Sequence, residues 1–291
     1  MEKPANSPQT IIQSKGNQWF KLITSIKEGK KERDKYFIAE GEKHILSFLK
    51  KFVPFAFFSY EDESPLPQPP HLDRQGGSLS LFPLSRGLEG DKLAEKAYIF
   101  SKKLWKELSD VETPQRLIAI FERPEQKNEN IEKTDSVLIL DRIQDPGNLG
   151  TIIRTAIASG WKDIICLKGT VDPYSPKVVR ASAGALALAN IYCKISLEEL
   201  IPILQNNSFE IFTTSSHNSV AANEYNFKET KKPCLILGNE GGGIESNWIE
   251  KLRTERKIVD LKIPMENEEV VESLNVAIAG ALLMFRIKGL V

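Results

Sequence analysis

Three segments in the C-terminal half of the chain place polar side chains directly after apolar runs. They read LILDRIQDPGNLGTIIRTAIASG, CLILGNEGGGIE and IPMENEEVVESLNVAIAGALLMFRI. Each segment opens on an apolar run that predicts a buried strand, and the polar residues follow it. The carboxyl ends of strands are where α/β sheets bind ligands. The three segments are therefore candidate ligand-binding loops.

The first segment contains Arg154, six residues after Asn148 and among apolar neighbours. Asn148 occupies the predicted start of a helix, where an amide side chain can cap free backbone N–H groups. Spacing alone favours Arg154 as a surface arginine on an amphipathic helix.

The second segment is a glycine-rich turn around Glu240. Glycine lets a ligand approach the backbone closely and tolerates positive φ. The lysine and hydroxyl residue of a Walker A loop are absent, and the spacing of a GxGxxG loop is not met. Glu240 favours an uncharged or cationic ligand over a phosphate. The alternative is a tight strand-to-helix turn that binds nothing.

The third segment has an acidic loop followed by Ser273, Asn275 and a helix that is apolar nearly all round. Such a helix is predicted to be buried in the core or at a subunit interface. Ser273 alone fits a helix N-cap as well as a ligand site. The acidic loop fits a solvated surface.

These segments lie in a half of the chain that alternates strand and helix patterns. Alternation of this kind predicts an α/β domain with a mostly parallel sheet covered on both faces. The predicted strands are 137–140, 164–167, 191–195, 209–213, 235–237 and 258–263, and the predicted helices are 149–159, 176–188, 197–206, 245–253 and 274–287.

The N-terminal half also alternates helix and strand patterns. Its predicted helices begin near Trp19, Ile45 and Ser101, and its predicted strands are 36–39, 53–58 and 116–121. Residues 61–78 hold four prolines and predict an irregular loop. The polar stretch 122–135 predicts a linker. The resulting domains are 15–121 and 136–291.

Composition sets limits on the partners. A chain of 291 residues suits two domains. The chain has 39 Lys and Arg residues together and 39 Asp and Glu residues together, and this balance of charge counts mildly against a nucleic-acid partner. No apolar run fits a membrane helix and the N-terminus lacks a signal-peptide core, so we expect a cytoplasmic protein. Cysteines and histidines lack metal-site spacing, so no metal is expected, and the three cysteines are predicted core or near-core residues.

Together, and in this order, the three segments resemble the motifs of the SpoU/TrmH family of the SPOUT superfamily. The matching residues are NLGTIIRTA at 148–156, LGNEGGGI at 237–244, IPM at 263–265 and ESLNVAIA at 272–279. The resemblance covers about residues 136–288. The first domain is similar to the family's smaller α/β L30e-like substrate-binding module, through NQWFKLI and KYFIAEGEKHI.

The resemblance implies a trefoil-knotted, mostly parallel sheet that binds S-adenosyl-L-methionine and forms a homodimer through the C-terminal domain. Nothing in the strand pattern itself indicates a knot. By the same resemblance, the cofactor contacts are Leu237, Gly238, Asn239, Gly241, Ile263, Met265, Ser273 and Leu274, and the catalytic residues are Arg154, Asn148, Glu240, Ser273 and Asn275.

The implied reaction is 2'-O-ribose methylation of structured RNA, with ribosomal RNA (23S rRNA) favoured over tRNA. Because a guanidinium rarely gives up a proton, we expect Arg154 to hold a phosphate and lower the pKa of the hydroxyl rather than act as a base. The alternative functions are a non-catalytic RNA-binding or ribosome-assembly protein and, less well supported, a nucleotide-dependent enzyme.

One part of the third segment departs from the family pattern. Many members have a short spacer with glycine between the IPM and SLN portions, whereas ENEEVVE here is longer and lacks glycine. We therefore expect the loop over residues 266–271 to follow a different path.

A cluster of basic residues in the N-terminal domain is a candidate RNA surface. Glu28, Glu32 and Asp34 interleave it, so an ordinary solvated face is the equal alternative. The cluster comprises Lys27, Lys30, Lys31, Arg33 and Lys35.

Overall fold

The computed structural model divides the chain into two compact units, Met1–Arg123 and Pro124–Val291. The division falls inside the predicted linker. However, Asn128–Lys133 forms a 3-10 helix, and its Ile131 is buried in the core of the second unit. Much of the predicted linker therefore belongs to the second unit. The structure describes residues 11–61, 97–109, 114–125, 128–193, 195–214, 219–239, 241–267, 269–271 and 273–291.

The described residues of the first unit form a five-stranded mixed sheet in the order β1-β4-β3-β5-β2. β5 runs antiparallel to β2 and β3, and the remaining pairs are parallel. The predicted loop over 61–78 lies outside the described residues apart from Glu61. The elements are β1 (Ile11–Ile12), α1 (Gln18–Lys27), a 3-10 helix (Lys31–Asp34), β2 (Tyr36–Glu40), α2 (Glu42–Leu49), β3 (Pro54–Tyr60), β4 (Ala97–Phe100), α3 (Lys102–Leu108) and β5 (Leu117–Glu122).

Local sequence explains how α1 begins, packs and ends. The Asn17 side chain accepts the Trp19 N–H and so caps the helix. Ile23 and Ile26 lie on one face and are fully buried against the sheet. The chain then turns at Gly29, whose φ of 77° ends the helix. The helix predicted from Trp19 to Gly29 is confirmed within these ends.

In the described part of the second unit, seven strands form a sheet in the order β10-β12-β9-β11-β6-β7-β8, and every pairing between them is parallel. The elements are β6 (Val137–Leu140), α4 (Pro146–Ala158), β7 (Asp163–Cys166), α5 (Pro176–Ala181), a 3-10 helix (Ala185–Leu188), β8 (Asn190–Tyr192), α6 (Leu197–Asn206), β9 (Glu210–Thr214), β10 (Val220–Ala221), a 3-10 helix (Phe227–Glu229), β11 (Pro233–Leu237), α7 (Ser246–Arg253), β12 (Ile258–Lys262) and α8 (Val276–Ile287).

The two central strands of this sheet explain the class of fold. Every residue of β6 and β11 is buried, as expected for strands covered on both faces. Because all seven strands point the same way, their carboxyl ends form one edge of the sheet. The predicted α/β class with a mostly parallel sheet is confirmed.

Three predictions of local structure were wrong. The helix predicted over 176–188 ends at Ala181, because Ala183 and Gly184 have φ of 49° and 88°, and left-handed residues cannot continue a right-handed helix. The strand predicted over 191–195 stops at Tyr192. Cys193 is exposed, whereas Cys166 and Cys234 are buried as expected.

Across the ranges described above, no helix is both long and apolar enough to cross a membrane.

Candidate functional site

Three loops meet the edge of the second sheet formed by the strand carboxyl ends. They are residues 141–148 after β6, the last three of which begin α4, and the described residues of 238–245 after β11 and of 263–275 after β12. β6 and β11 are adjacent in the sheet, and β12 lies on the far side of β9. Side-chain hydrogen bonds connect the first loop to each of the other two.

Asp141 joins the first loop to the second. Its carboxylate is almost fully buried, at 2% exposure, directly after β6. It accepts the Glu245 backbone N–H at 2.7 Å and the Trp248 indole N–H at 3.4 Å. Its other oxygen accepts the Arg142 Nε–H at 3.0 Å. A buried carboxylate is costly unless it is paired in this way, so these bonds hold the two loops together.

Arg142 strengthens the same junction from the other side. Its φ of 58° turns the backbone out of the strand. Its guanidinium donates to the Gly243 carbonyl at 3.2 Å, while its own carbonyl accepts the Asn239 side-chain N–H at 2.9 Å. The hydrogen bond to Asp141 raises the pKa of Arg142, so the guanidinium stays charged.

The glycine-rich loop closes on itself. Asn239 and Gly243 exchange two backbone hydrogen bonds of 2.9 Å, and the Asn239 side-chain oxygen accepts the N–H groups of Gly241 and Gly242. A Cβ on Gly238 would lie 2.3 Å from the Gly243 carbonyl carbon, so no side chain fits there. The turn links β11 to α7, and it exposes the backbone of Gly241 and Gly242 at the sheet edge.

Asn148 and Asn275 join the first loop to the third. The Asn275 side-chain N–H donates to the Asn148 side-chain oxygen at 3.0 Å. The oxygen of Asn275 meanwhile accepts the N–H groups of Ala277 and Ile278 and so caps α8. Two predicted catalytic residues are thus in direct contact.

The predicted helix caps need correction. Helix α4 begins at Pro146 rather than at Asn148, and Asp145 caps it by accepting the Asn148 backbone N–H at 2.7 Å. The cap of α8 is Asn275, which leaves Ser273 exposed before the helix. The side chains of Asn148 and Ser273 are therefore not used as helix caps.

Arg154 lies on the exposed side of α4. Within the described part of the chain, its guanidinium makes no hydrogen bond and no ion pair. Helix α4 packs against α8, the helix that Asn275 caps. Arg154 is thus a charged group on the surface of the helix that starts at the site, available to an anionic ligand.

The predicted cofactor contacts fall into groups by exposure. Leu237 and Gly238 are buried, while Gly241 and Ser273 are exposed. Glu240 lies outside the described residues. The half-buried members, which present part of their surface to a ligand, are Asn239, Ile263, Met265 and Leu274.

Sequence reasoning missed the four residues that lock the first two loops together. Asp141 was visible as a carboxylate placed directly after the apolar run VLIL, which is an expensive position for an unpaired charge. Its partners Glu245 and Trp248 lie more than one hundred residues away and carry no local signal. The role of Arg142 also has no local sequence signal, because its left-handed φ depends on tertiary contacts.

The candidate RNA surface of the first unit is smaller than predicted. Lys27 is buried, forms an ion pair with Glu40 and donates to the Leu108 carbonyl. Arg33 donates to the carbonyls of Ile26 and Lys27, so it provides hydrogen-bond donors for carbonyl groups in the last turn of α1. Lys30, Lys31 and Lys35 remain as solvent-facing candidates, and Lys30 forms an exposed pair with Glu28.

No group of three or more His, Cys, Asp or Glu residues that could hold a metal ion occurs among the residues with a described position.

Comparison with known proteins identifies the family to which the second unit is similar. A family model described as the SpoU rRNA Methylase family matches residues 135–285, more than half of the chain. The chain belongs to this family. The predicted family resemblance is confirmed.

A curated relative extends the likeness to the whole chain. The 23S rRNA (guanosine(2553)-2'-O)-methyltransferase RlmP of Bacillus subtilis is 30% identical over 284 residues, which are 96% of this chain and 99% of the relative. The likeness therefore includes both units.

Solved structures of similar fold also cover nearly the whole chain. An AdoMet-bound rRNA methyltransferase from Sinorhizobium meliloti has a TM-score of 0.74 at 24% identity and covers 96% of this chain and 97% of its own. The SpoU methyltransferase AviRb from Streptomyces viridochromogenes, in complex with AdoMet, has a TM-score of 0.73 at 21% identity, with coverage of 94% and 98%. Because both identities are below 25%, these two structures establish only that this chain has the same fold as they have.

Proposed function

We propose that this protein transfers a methyl group from S-adenosyl-L-methionine to a ribose 2'-hydroxyl of ribosomal RNA, with 23S rRNA as the favoured substrate. The observation that carries the proposal is the end-to-end match to a 23S rRNA 2'-O-methyltransferase, 96% of this chain on 99% of the relative. The hydrogen-bonded loops at the carboxyl edge of the sheet support the proposal, because parallel α/β sheets bind ligands at this edge.

The residues at the sheet edge fit S-adenosylmethionine. The N–H groups of Gly241 and Gly242 donate to Asn239, but their exposed carbonyls can accept hydrogen bonds from a ligand. Half-buried Ile263, Met265 and Leu274 offer apolar surface to an adenine ring. Leu237, Gly238, Asn239 and Ser273 complete the proposed binding set. When bound, the cofactor supplies a methyl group on a positively charged sulfur.

The chain's own residues orient the RNA. An in-line displacement requires the 2'-oxygen and the methyl carbon on one line. Arg154 binds a phosphate of the target nucleotide with its forked guanidinium, and its charge lowers the pKa of the nearby hydroxyl. The Asn148–Asn275 pair, joined at 3.0 Å, fixes the starts of α4 and α8 relative to each other.

Replacement of Arg154 tests this assignment. We expect Arg154→Ala to reduce kcat for methyl transfer on the order of a hundredfold or more and Arg154→Lys to recover only part of it, because Lys lacks the fork. S-adenosylmethionine affinity, measured by calorimetry, stays within about twofold of wild type. Lys162→Ala is the matched control, since Lys162 is exposed just before β7, at the opposite edge of the sheet. Near-normal kcat for Arg154→Ala would reject the assignment.

A homodimer through α8 is part of the proposal. Ile278 and Leu282 lie one turn apart on α8 and are 52% and 45% exposed. Apolar neighbours on one helix face suit a two-fold interface. Ile278→Glu with Leu282→Glu is expected to give a monomer in sedimentation, whereas Val220→Glu, at an exposed apolar residue on β10, leaves the dimer intact. A monomeric wild type would contradict the proposal.

The SpoU relationship also supports a trefoil knot formed by residues after β11. A crystal structure that traces the backbone through residues 238–275 tests the knot, and an unthreaded path would reject it.

Lys30, Lys31 and Lys35 are the proposed RNA contacts of the first unit. Their joint replacement by Ala should weaken RNA binding and flatten its salt dependence, by roughly 0.7–0.9 in the log–log slope for each phosphate that is no longer neutralised. An unchanged slope measured by fluorescence anisotropy would remove these residues from the interface.

A further inference from the structure

The ends of β7 and β8 carry one cysteine each. β7 ends at Cys166, and Cys193 directly follows β8. The strands are parallel, and Ile165 is paired with Tyr192, so Cys166 and Cys193 are the next opposed positions. Neighbouring strands lie about 4.8 Å apart. This spacing falls within the roughly 4.4–6.8 Å found between Cα atoms of disulfide-bonded cysteines.

The two thiols are also in contact. Opposed residues of neighbouring strands project from the same face of the sheet. The Cys166 thiol donates a hydrogen bond to the Cys193 sulfur, and this bond is the leading cause that raises the pKa of Cys166, followed by burial, the electrostatic effect of Cys193 and the Asp172 carboxylate. Cys166 is therefore held as a neutral thiol beside the Cys193 sulfur.

The surroundings of the two sulfurs differ. Cys193 is exposed, whereas Cys166 is 4% exposed. The third cysteine, Cys234, is fully buried in β11, and burial raises the pKa of its thiol. All three are thiols in the structure. A small oxidant in solution can reach Cys193 first, and Cys166 is the thiol beside it.

We propose that Cys193 and Cys166 form a reversible redox pair that a hydroperoxide converts into an intramolecular disulfide. The Cys193 sulfur attacks the peroxide, an S–O bond forms as the O–O bond breaks, and the thiol proton leaves with the other oxygen as water or alcohol. The Cys166 sulfur then attacks the oxidised Cys193 sulfur. The S–S bond forms, the S–O bond breaks, and hydroxide leaves with the Cys166 proton as water.

This pair borders the site described above. The chain that leaves Cys166 is fastened to the first loop, because the Val171 N–H donates to the Ile143 carbonyl at 2.8 Å. It is also fastened to the end of β6, because the Thr170 hydroxyl donates to the Leu140 carbonyl at 3.0 Å. A disulfide would tie the end of β8 to the base of this segment. The modification thus acts on a stretch of chain that contacts the first site loop.

Peroxide treatment of the full-length protein, followed by intact and non-reducing peptide mass spectrometry, tests the pair. We expect the loss of two hydrogen atoms per chain and one linked peptide pair that contains Cys166 and Cys193, reversed by a small dithiol. Cys234→Ser is the matched control and should give the same product. Cys193→Ser, at an exposed position that folding tolerates, should give none.

A second variant keeps the test decisive. In Cys166→Ala the resolving thiol is absent, so Cys193 should accumulate as a sulfenic acid that a dimedone-type reagent traps. The inference is overturned if oxidised wild type keeps an alkylatable Cys166 while Cys193 becomes sulfinic acid, or if the only disulfide found links two chains.

Discussion

Replacement of Asp141 should loosen the hydrogen-bonded junction between the first two site loops. Asp141→Asn keeps the shape, but it removes the charge that pairs with Arg142 and cannot accept all four hydrogen bonds that the carboxylate accepts. Breaking a buried charge pair of this kind costs about 3 kcal/mol. We expect the free energy of unfolding to fall by this amount in denaturant titrations, with S-adenosylmethionine affinity reduced at least tenfold.

The matched control for this prediction is Glu245→Gln. The Glu245 side chain is exposed and lies 4.0 Å from Arg142, while its backbone N–H makes the bond to Asp141. Its replacement should cost less than about 0.5 kcal/mol. Equal losses for the two variants would show that the charge on Asp141 is not what holds the loops.

Asp260 is a residue whose ionisation should make the stability of the protein depend on pH. Burial alone would raise the pKa of this carboxyl, but hydrogen bonds from Arg253 and Thr213 outweigh burial and lower the pKa below its ordinary value. A carboxyl with a lowered folded-state pKa stabilises the protein above the unfolded pKa of about 3.9, and the contribution is lost as pH falls through the folded pKa.

Asp260→Asn should therefore be less stable than wild type at pH 7. The difference should begin to shrink near the unfolded pKa of about 3.9 and disappear below the lower folded-state pKa. Unfolding midpoints measured across this range provide the check. Glu224→Gln, at an exposed acid on the loop after β10, should track wild type throughout. A stability gap for Asp260→Asn that persists unchanged in acid would contradict the assignment.

At the scale of elements, the glycine-rich loop depends on the absence of one side chain. Gly238→Ala would place a Cβ 2.3 Å from the Gly243 carbonyl carbon and 2.4 Å from the Ile244 nitrogen. Both neighbours are backbone, so the loop must open, at a cost of about 2–3 kcal/mol. We expect calorimetry to show strongly weakened S-adenosylmethionine binding.

Gly241→Ala is the control in the same loop. Among the described residues, its added Cβ would meet the Asn239 side-chain oxygen at 3.6 Å, which is ordinary contact. It should therefore fold with stability within about 1 kcal/mol of wild type. Similar stability losses for both glycines would mean that general loop flexibility, rather than the close approach at Gly238, is the constraint.

Helix α8 offers a way to separate folding from function. Asn275→Asp keeps an oxygen that can accept the Ala277 N–H and cap the helix, but it loses the N–H donated to Asn148. Because Asp and Asn cap helices about equally well, thermal stability should change by less than about 0.5 kcal/mol, whereas Asn275→Ala should cost about 1 kcal/mol. Methyl transfer should fall in both variants, and full activity of Asn275→Asp would dismiss the link to Asn148.

Most elements of the second unit were predictable, for a physical reason. β6 was predicted at its observed ends, because a fully buried strand is a continuous apolar run. The two-residue strand β10 has one exposed and one half-buried residue and therefore left no such pattern. The break after α5 was missed because Ala183 is a good helix former whose positive φ is imposed by its surroundings. The contact between Asn148 and Asn275 was likewise beyond local pattern.

At the scale of the whole molecule, each unit has its own core. The core of the first unit includes Ile23 and Phe58, and that of the second includes Ile131 and Ile236. A fragment of residues 124–291 should therefore fold alone and bind S-adenosylmethionine within about threefold of the full chain. Its affinity for RNA should drop, as measured by anisotropy. A fragment that is unfolded by circular dichroism would show that the units depend on each other.

The order of strands in the second sheet has a consequence for synthesis of the protein. β11 inserts between β9 and β6, and the bond between Asp141 and Glu245 forms only after this insertion. A ribosome releases the N-terminal end first, and contacts between distant parts of a chain form slowly. A nascent chain therefore has no assembled glycine-rich loop against β6 until most of it has emerged, so partly made copies cannot compete with finished enzyme for cofactor.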